Sequence, residues 1–187
     1  MKGKEKMLQE SNQNMKCLIF SDSHGDVLSI DRAIRAHRDA EVIFFLGDGL
    51  SDLDALSIPK DKMVLAVRGN CDFSGIYQGE KVKKVEKITL MGKRIVLTHG
   101  DLYGAKFGEG GLLRLAIEER ADIILYGHTH LPKESFHYVI DHEDLPDVVP
   151  EERPVTLFNP GSVGSASHTY GILTLTDTTY LFSHAHA

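Results

Sequence analysis

The chain repeats one pattern in which a short apolar run ends at side chains that can bind a metal ion. The pattern is clearest after Tyr126, where Gly127 ends an apolar run and two histidines follow, one residue apart. Four other apolar runs end in the same way. The side chains that follow the five runs are Asp22 and His24, Asp48, Asn70, His99, and His128 and His130.

These seven side chains form a donor set for divalent transition metals. Carboxylate, carboxamide and imidazole donors without thiolate suit Mn²⁺, Fe, Zn²⁺, Co²⁺ or Ni²⁺ better than Ca²⁺ or Mg²⁺. Seven donors are too many for one tetrahedral ion. They fit two ions about 3.5 to 4 Å apart if one carboxylate bridges them. The sequence therefore predicts a site for two metal ions.

Each of these residues also has a structural explanation when it is taken alone. Asp22 could cap the helix that follows it, and Asp48 or Asn70 could belong to tight turns. A single His99 would more often be a hydrogen-bonded structural residue. These separate explanations leave open why every candidate follows an apolar run, so we favour one shared site.

The first part of the chain predicts a β-α-β-α-β unit. Strands are expected over 16–20, 41–46 and 63–67, and helices over 27–37 and 53–57. Such a unit has parallel strands joined by right-handed crossovers. Open α/β sheets bind their ligands beyond the carboxyl ends of these strands. The metal-binding side chains should therefore converge at that edge.

The second half of the chain has a different character. A hairpin is predicted from 82–90 and 93–98 around Gly92, followed by a helix over 112–120 and a strand over 123–126. Antiparallel strands are then expected at 136–140, 155–158, 170–175 and 180–182.

Length and charge limit the class of protein. The 187 residues, 42% hydrophobic and 26% charged, fit one domain with a sizeable core. We expect this domain to span 15–187 and the polar residues 1–14 to form a flexible N-terminal extension. A net charge of -6 without a lysine or arginine cluster argues against tight binding of nucleic acid.

The sequence also predicts where in the cell the protein is located. No apolar stretch has the length needed to cross a bilayer, and the amino-terminal residues lack the hydrophobic centre of a secretion signal. The two cysteines, Cys17 and Cys71, do not form a disulfide framework. We therefore predict a cytoplasmic protein that does not associate with membranes.

The five motifs taken together resemble those of the calcineurin-like metallophosphoesterase superfamily. They are Asp22-Ser23-His24, Gly47-Asp48, Gly69-Asn70, His99-Gly100 and Gly127-His128-Thr129-His130. Within the superfamily, the segments 69–72, 126–132 and 159–163 resemble the YfcE-like small phosphodiesterases. The resemblance implies an α/β fold, a four-layer α/β sandwich with two facing mixed β-sheets flanked by helices.

The resemblance also implies how the seven donors divide between two ions. The first ion would take Asp22, His24, Asp48 and His130, and the second would take Asp48, Asn70, His99 and His128. The ions would be Mn²⁺ first, with Ni²⁺, Co²⁺, Zn²⁺ or Fe as alternatives. A metal-bridging hydroxide would then attack a small or nucleotide-like phosphodiester. Asn70 would also act catalytically if its amide donates to a phosphate oxygen.

Cys71 departs from the family pattern. Many family phosphatases have a histidine directly after the motif asparagine. A thiol with a pKa of about 8.5 is neutral at pH 7 and replaces a cationic imidazole poorly. We therefore expect weak phosphomonoesterase activity and better turnover of phosphodiesters with good leaving groups. A small buried filler is the alternative role for Cys71, and Asp72 is expected to hold a motif loop or orient a ligand.

A second interpretation belongs to another class of protein. The chain could be a non-catalytic metal-binding scaffold or protein-interaction subunit of the same fold, as the metallophosphoesterase-like subunit of retromer is. All seven ligand positions hold the expected residue types, which favours the enzyme. Relatives also suggest a homodimer or homotetramer, for which exposed strands in the second half could provide an edge.

Overall fold

The computed structural model describes residues 14–140 and 152–187. These residues form twelve β-strands, three α-helices and two short 3₁₀ turns. Of the expected flexible extension at 1–14, all but Asn14 lies outside the described residues. No helix among the described residues is long and apolar enough to span a membrane.

The first sheet has a parallel part and an antiparallel part. Its parallel strands are β1 (Met15–Phe20), β2 (Val42–Phe45) and β3 (Met63–Ala66). On the other side of β1 lie β11 (Thr169–Leu175) and then β12 (Tyr180–His186), each antiparallel to its neighbour. The three parallel strands confirm the predicted β-α-β-α-β unit.

The second sheet is also mixed. Its strands are β6 (Val85–Leu90), β7 (Lys93–Thr98), β8 (Ile123–Leu125), β9 (Pro132–Ile140) and β10 (Glu152–Pro160). They pair in the order β6-β7-β8-β10-β9. We expected only antiparallel pairing for the strand that forms β10, and this is wrong on one side, because β10 runs parallel to β8.

The helices follow the strands of the parallel parts. They are α1 (Val27–Ala36), α2 (Leu50–Asp54) and α3 (Gly110–Glu118). The 3₁₀ turns, Asp101–Tyr103 and Ala105–Phe107, lie between β7 and α3. A hairpin that we did not predict joins β3 to β6 and consists of β4 (Ile76–Tyr77) and β5 (Glu80–Lys81).

Helix α1 begins at Val27 as predicted, whereas α2 begins earlier than predicted. The carboxylate of Asp26, and not that of Asp22, caps α1 by accepting from the backbone N–H of Ser29 at 3.0 Å. The alternative role of Asp22 as a helix cap is therefore wrong. Helix α2 begins at Leu50, three residues before the predicted start, because it follows Gly49 directly.

Three apolar clusters lie between the layers of the fold and pack them together. Ile19, Phe44 and Leu125 belong to the cluster between the two sheets. The other face of the first sheet packs against α1 and α2, and the other face of the second sheet packs against α3. The order helix, sheet, sheet, helix confirms the fold class that the resemblance implied.

Glu109 joins the start of α3 to the edge strand β9. Its carboxylate accepts from Ser135 Oγ at 2.8 Å and lies 2.9 Å from Lys133 Nζ and 3.1 Å from His137 Nε2. Burial raises the pKa of Glu109, but Lys133, Ser135 and His137 outweigh it and hold this pKa below its ordinary value.

The stability contribution of Glu109 should therefore depend on pH. Because its folded-state pKa is lowered, the contribution is present above the unfolded-state pKa and is lost as the pH falls through the folded-state pKa. We expect Glu109→Gln to lower the free energy of unfolding by about 1 kcal/mol at pH 7 and by less at pH 3. Urea denaturation at both pH values checks this, and an equal loss at the two values would contradict it.

Candidate metal centre

The seven predicted donors follow strands from both sheets. In the first sheet, β1 leads to Asp22 and His24, β2 to Asp48 and β3 to Asn70. In the second, β7 leads to His99, and β8 to His128 and His130. A hydrogen bond from the backbone N–H of His128 to Asp22 Oδ2, at 3.0 Å, joins the two sets of strand ends.

One group of donors combines Asp22, His24 and His130. Asp22 Oδ1 lies 3.2 Å from His130 Nε2 and 3.8 Å from His24 Nε2. The two Nε2 atoms are 3.3 Å apart. Asp22 is fully buried, whereas both histidines are partly open to solvent. This side of the site is therefore accessible.

A second group combines Asp22, Asp48 and His99, all of them buried. Asp48 Oδ2 lies 3.4 Å from His99 Nε2, and Asp22 Oδ1 lies 4.0 Å from it. Asp22 belongs to both groups. The structure thus brings five of the seven predicted donors into two overlapping clusters, in each of which the ligand atoms lie within 4.8 Å of one another.

The remaining two predicted donors flank these clusters. The His128 ring lies edge-on to the His99 ring, with 5.0 Å between centroids. Asn70 is exposed, and its Nδ2 lies 3.2 Å from Cys71 Sγ. Among the described residues, His128 contributes no ligand atom to the two clusters.

Hydrogen bonds within the protein orient the His99 and Asp22 side chains. Each side chain uses one polar atom for such a bond and keeps the other for the site. His99 Nδ1 donates to the Leu46 carbonyl at 2.8 Å, so Nε2 is the nitrogen that can offer a lone pair to a metal ion once the ring is neutral. Asp22 accepts from Ser21 Oγ through Oδ2 at 2.6 Å. Asp22 Oδ1 and His99 Nε2 are buried and have no hydrogen-bond partner among the described residues. Buried polar atoms without a partner are costly, so these two fit a bound cation.

The backbone is strained at the predicted ligands. Five of them have positive φ, a region that non-glycine residues seldom adopt. Such strain concentrates at functional sites, where the surrounding structure enforces it. The residues and their φ angles are Asp22 (55°), His24 (44°), Asp48 (56°), His128 (68°) and His130 (61°).

Two glycines allow the ligand loops to approach each other. A Cβ atom at Gly69 would lie 2.0 Å from Asp48 Oδ1. A Cβ atom at Gly127 would lie 1.9 Å from Ser21 Oγ and 2.9 Å from Asp22 Oδ2. Any larger residue at either position would displace a carboxylate of the site.

Asp72 holds the loops that follow β2 and β3. Its Oδ1 accepts from the backbone N–H groups of Gly49 and Leu50, and its Oδ2 accepts from those of Asp48 and Gly69, each at 2.8 Å. One carboxylate thus fixes the backbone on both sides of Asp48.

Two other side chains bind the ligand loops. Asp52 carried no recognisable signal in the sequence, whereas Ser162 lies in the segment 159–163 that carries part of the resemblance. Asp52 accepts from Ser23 Oγ at 2.6 Å and from the Gly25 N–H at 2.8 Å. An acid in the first turn of a helix is common for other reasons, so spacing alone could not single it out. Ser162 Oγ donates to the Asp22 carbonyl at 2.7 Å.

The charges of the site shift the pKa values of its members. Burial raises the pKa of Asp48, but His99 and the backbone N–H of Cys71 outweigh burial and lower it. Burial lowers the pKa of His99, but the Asp48 and Asp22 carboxylates outweigh burial and raise it. The pKa of His128 is lowered, by burial first and then by the charge of His99. Asp48 therefore remains a carboxylate over the whole neutral range.

Cys71 is exposed at the edge of the site, so the alternative of a small buried filler is wrong. Its backbone N–H donates to Asp48 Oδ1 at 2.7 Å. Its thiol, with Asp48 and His24, forms a third group of donor atoms within 4.8 Å of one another. The hydrogen bond with Asp48 raises the pKa of the thiol, as do burial and nearby carboxylates. Position 71 therefore offers no positive charge.

Comparison with known proteins shows which protein family this chain matches in sequence. The family model of the calcineurin-like phosphoesterase superfamily domain matches residues 15–178. The probable metallophosphoesterase YsnB of Bacillus subtilis is 32% identical over 165 residues, covering 86% of this chain and 85% of that protein. The phosphodiesterase YfcE of Escherichia coli is 28% identical over 182 residues, covering 85% of this chain and 87% of that protein.

The fold is shared more widely than the sequence. The structure of vacuolar protein sorting 29 from Cryptosporidium parvum superimposes with a TM-score of 0.67 at 15% identity, covering 92% of this chain and 97% of that one. At this identity the likeness shows the fold alone.

Proposed function

We propose, from the premise that this chain belongs to the calcineurin-like phosphoesterase superfamily, that it is a metal-dependent phosphodiesterase acting on a small or nucleotide-like phosphodiester. The observation that carries the proposal is that Asp22 Oδ1 and His99 Nε2, both buried within the donor clusters, have no hydrogen-bond partner among the described residues. A protein with no use for metal would gain stability by satisfying them. The assay of turnover described below separates an enzyme from a metal-binding scaffold.

The residues present fit two divalent metal ions. In our assignment one ion is held by Asp22, His24, Asp48 and His130, and the other by Asp48, Asn70, His99 and His128. Mn²⁺ is our first choice for these mixed nitrogen and oxygen donors, before Ni²⁺, Co²⁺, Zn²⁺ or Fe. When bound, such ions activate water and neutralise charge on phosphate oxygens.

The protein's own residues position the phosphate and the metal-binding atoms. Asp72 and the Leu46 carbonyl fix Asp48 and His99, so that the donor atoms are in place before substrate arrives. Asn70 is exposed beside them, and its amide N–H groups can donate to a phosphate oxygen. Preorganised donors of this kind stabilise charge that develops in the transition state.

The neutral Cys71 thiol favours a diester over a monoester. A phosphomonoester has one more negative charge at neutral pH and a leaving group that benefits from protonation. With no imidazolium at position 71, the site provides neither a compensating charge nor an acid there. Diesters with good leaving groups depend less on a compensating positive charge and on an acid that protonates the leaving group.

Replacing Cys71 by histidine should therefore raise phosphomonoesterase activity. We expect the rate on p-nitrophenyl phosphate to rise about tenfold, because an imidazolium would contact the phosphoryl group or protonate the leaving oxygen. Cys71→Ser is the matched control, since it keeps a small neutral side chain. An unchanged monoester rate together with unchanged phosphate affinity in Cys71→His would refute this explanation of selectivity.

The proposed function can be tested by stripping metal from the protein and measuring its hydrolysis of two esters, bis-p-nitrophenyl phosphate and p-nitrophenyl phosphate. Each rate is measured before and after addition of Mn²⁺. Metal-dependent cleavage with preference for the diester is the expected result. Preference for the monoester would reverse the substrate class. No turnover with Mn²⁺, Co²⁺, Ni²⁺ or Zn²⁺ would favour the scaffold interpretation.

The cellular location and the oligomeric state of the protein stay predictions. A cytoplasmic location is tested by cell fractionation, and a homodimer or homotetramer by sedimentation equilibrium. The edge strand β9 exposes Phe136, Tyr138 and Ile140 on one face, but these side chains do not identify a partner.

A further inference from the structure

Lys84 bridges two of the ligand loops, one from each sheet. It lies directly before β6, and its Nζ donates to the Gly69 carbonyl at 3.1 Å and to Asp101 Oδ2 at 2.9 Å. Gly69 directly precedes the predicted ligand Asn70, after β3. Asp101 follows the predicted ligand His99 by two residues, after β7. One ammonium group therefore ties the loop that carries Asn70 to the loop that carries His99.

The two peptide groups that flank Asn70 are both held. On its amino side, the carbonyl of Gly69 accepts from Lys84. On its carboxyl side, the N–H of Cys71 donates to Asp48 Oδ1 at 2.7 Å. These two peptide groups set the direction in which the Asn70 side chain leaves the backbone. A cation and a carboxylate therefore fix that direction together.

The direction of the Asn70 side chain matters for metal binding. Its Nδ2 donates to Cys71 Sγ at 3.2 Å. An amide nitrogen offers no lone pair to a metal ion, so only the amide oxygen can bind one. The orientation of Asn70 therefore decides whether its oxygen reaches the ion.

The contact between Lys84 and Asp101 is shielded from solvent. The two side chains are 24% and 16% exposed, and Asp101 Oδ1 is buried without a hydrogen-bond partner among the described residues. Partly buried ion pairs are screened less by salt than exposed ones. Lys84 is therefore held in place at both of its contacts.

We propose that Lys84 is a positioning residue of the metal centre, which orients Asn70 and thereby sets the affinity for the ion that Asn70 and His99 share. The inference rests on the proposed function for the assignment of these two residues to one ion. Lys84 acts through the backbone of Asn70. The sign of its effect separates this role from simple electrostatics. A nearby cation repels a metal ion, so loss of its charge alone would tighten metal binding, whereas loss of positioning weakens it.

The test is Mn²⁺ binding to metal-stripped protein, measured by calorimetry without substrate. We expect Lys84→Met to weaken binding of one of the two ions about tenfold, as for other groups that orient a metal ligand. Lys84→Arg should retain most of the affinity, because a guanidinium keeps the charge and can donate to both oxygens. Lys87→Met is the matched control and should bind Mn²⁺ as wild type does, since Lys87 lies on β6 and forms its ion pair with Glu119, after α3.

A double-mutant cycle with Asn70→Ala tests whether Lys84 acts through Asn70. If it does, Lys84→Met weakens Mn²⁺ binding in the wild-type chain but has little further effect once Asn70 is alanine. A general loosening of the loops would weaken binding equally in both backgrounds. Urea denaturation of the metal-free variants shows that they fold. If Lys84→Met does not fold, Lys84→Gln replaces it, and the same loss is expected because its side chain is shorter.

Unchanged or tighter Mn²⁺ binding in Lys84→Met overturns the inference, and so does an equal loss with and without Asn70. If bis-p-nitrophenyl phosphate is cleaved and Lys84→Met binds Mn²⁺ as wild type does, only this inference fails. If no ester is cleaved but the effect of Lys84 depends on Asn70, the proposed hydrolysis fails and the positioning role stands. A wild-type protein that binds none of Mn²⁺, Co²⁺, Ni²⁺ and Zn²⁺ would overturn both.

Discussion

Asp48→Asn is expected to lower metal-dependent hydrolysis of bis-p-nitrophenyl phosphate about a thousandfold or more. Asp48 Oδ2 lies 3.4 Å from His99 Nε2, and Oδ1 accepts from the backbone N–H of Cys71. Asparagine can keep the second contact through its amide oxygen, so the loop retains its course. The substitution removes the negative charge that, in our assignment, both ions share.

Two measurements separate loss of metal from loss of fold in Asp48→Asn. Metal analysis should show reduced occupancy, and thermal unfolding of the metal-free protein should show a change of only a few degrees. Asp39→Asn is the control, since Asp39 is exposed and, among the described residues, forms its ion pair with Lys16. Retention of more than about a tenth of the wild-type rate in Asp48→Asn would refute the assignment of Asp48 as the shared ligand.

Asp72→Asn is expected to weaken both the fold and metal binding. The Asp72 carboxylate accepts four backbone N–H groups at 2.8 Å. An amide would place its own N–H₂ group against two of them and leave these donors unsatisfied. We expect the free energy of unfolding to fall by about 2 to 3 kcal/mol and metal affinity to fall about 10- to 100-fold.

Urea denaturation of metal-free protein and a Mn²⁺ titration measure the two effects of Asp72→Asn. Asp39→Asn again serves as the control, because it removes an exposed acid that pairs with Lys16 in β1. A free energy of unfolding within about 0.5 kcal/mol of wild type would show that the four hydrogen bonds do not set the stability of these loops.

The order of elements in the first part of the chain could be predicted from sequence because each strand is a continuous apolar run. The same reasoning placed Asp22 and Asp48 at neighbouring strand ends. It failed for β10, since pairing with β8 depends on which strands meet in the second sheet, and local periodicity does not record this. The assignment of the seven donors to metal ions stays a prediction.

Long-range contacts of the site could not be predicted in this way. Ser162 reaches the Asp22 carbonyl across 140 residues of sequence, and Asp52 reaches Ser23 across 29. Both are common residue types in ordinary turns and helix starts. Their roles depend on how the two sheets dock, which no local pattern specifies.

The three apolar clusters described above contain none of the seven donor side chains. The apolar core that holds the layers together and the donors at the strand ends are therefore different sets of side chains. A preparation can therefore be folded while the candidate metal centre holds no ion. The same independence gives a lineage with this fold freedom to abandon phosphate chemistry and keep the shape for another use.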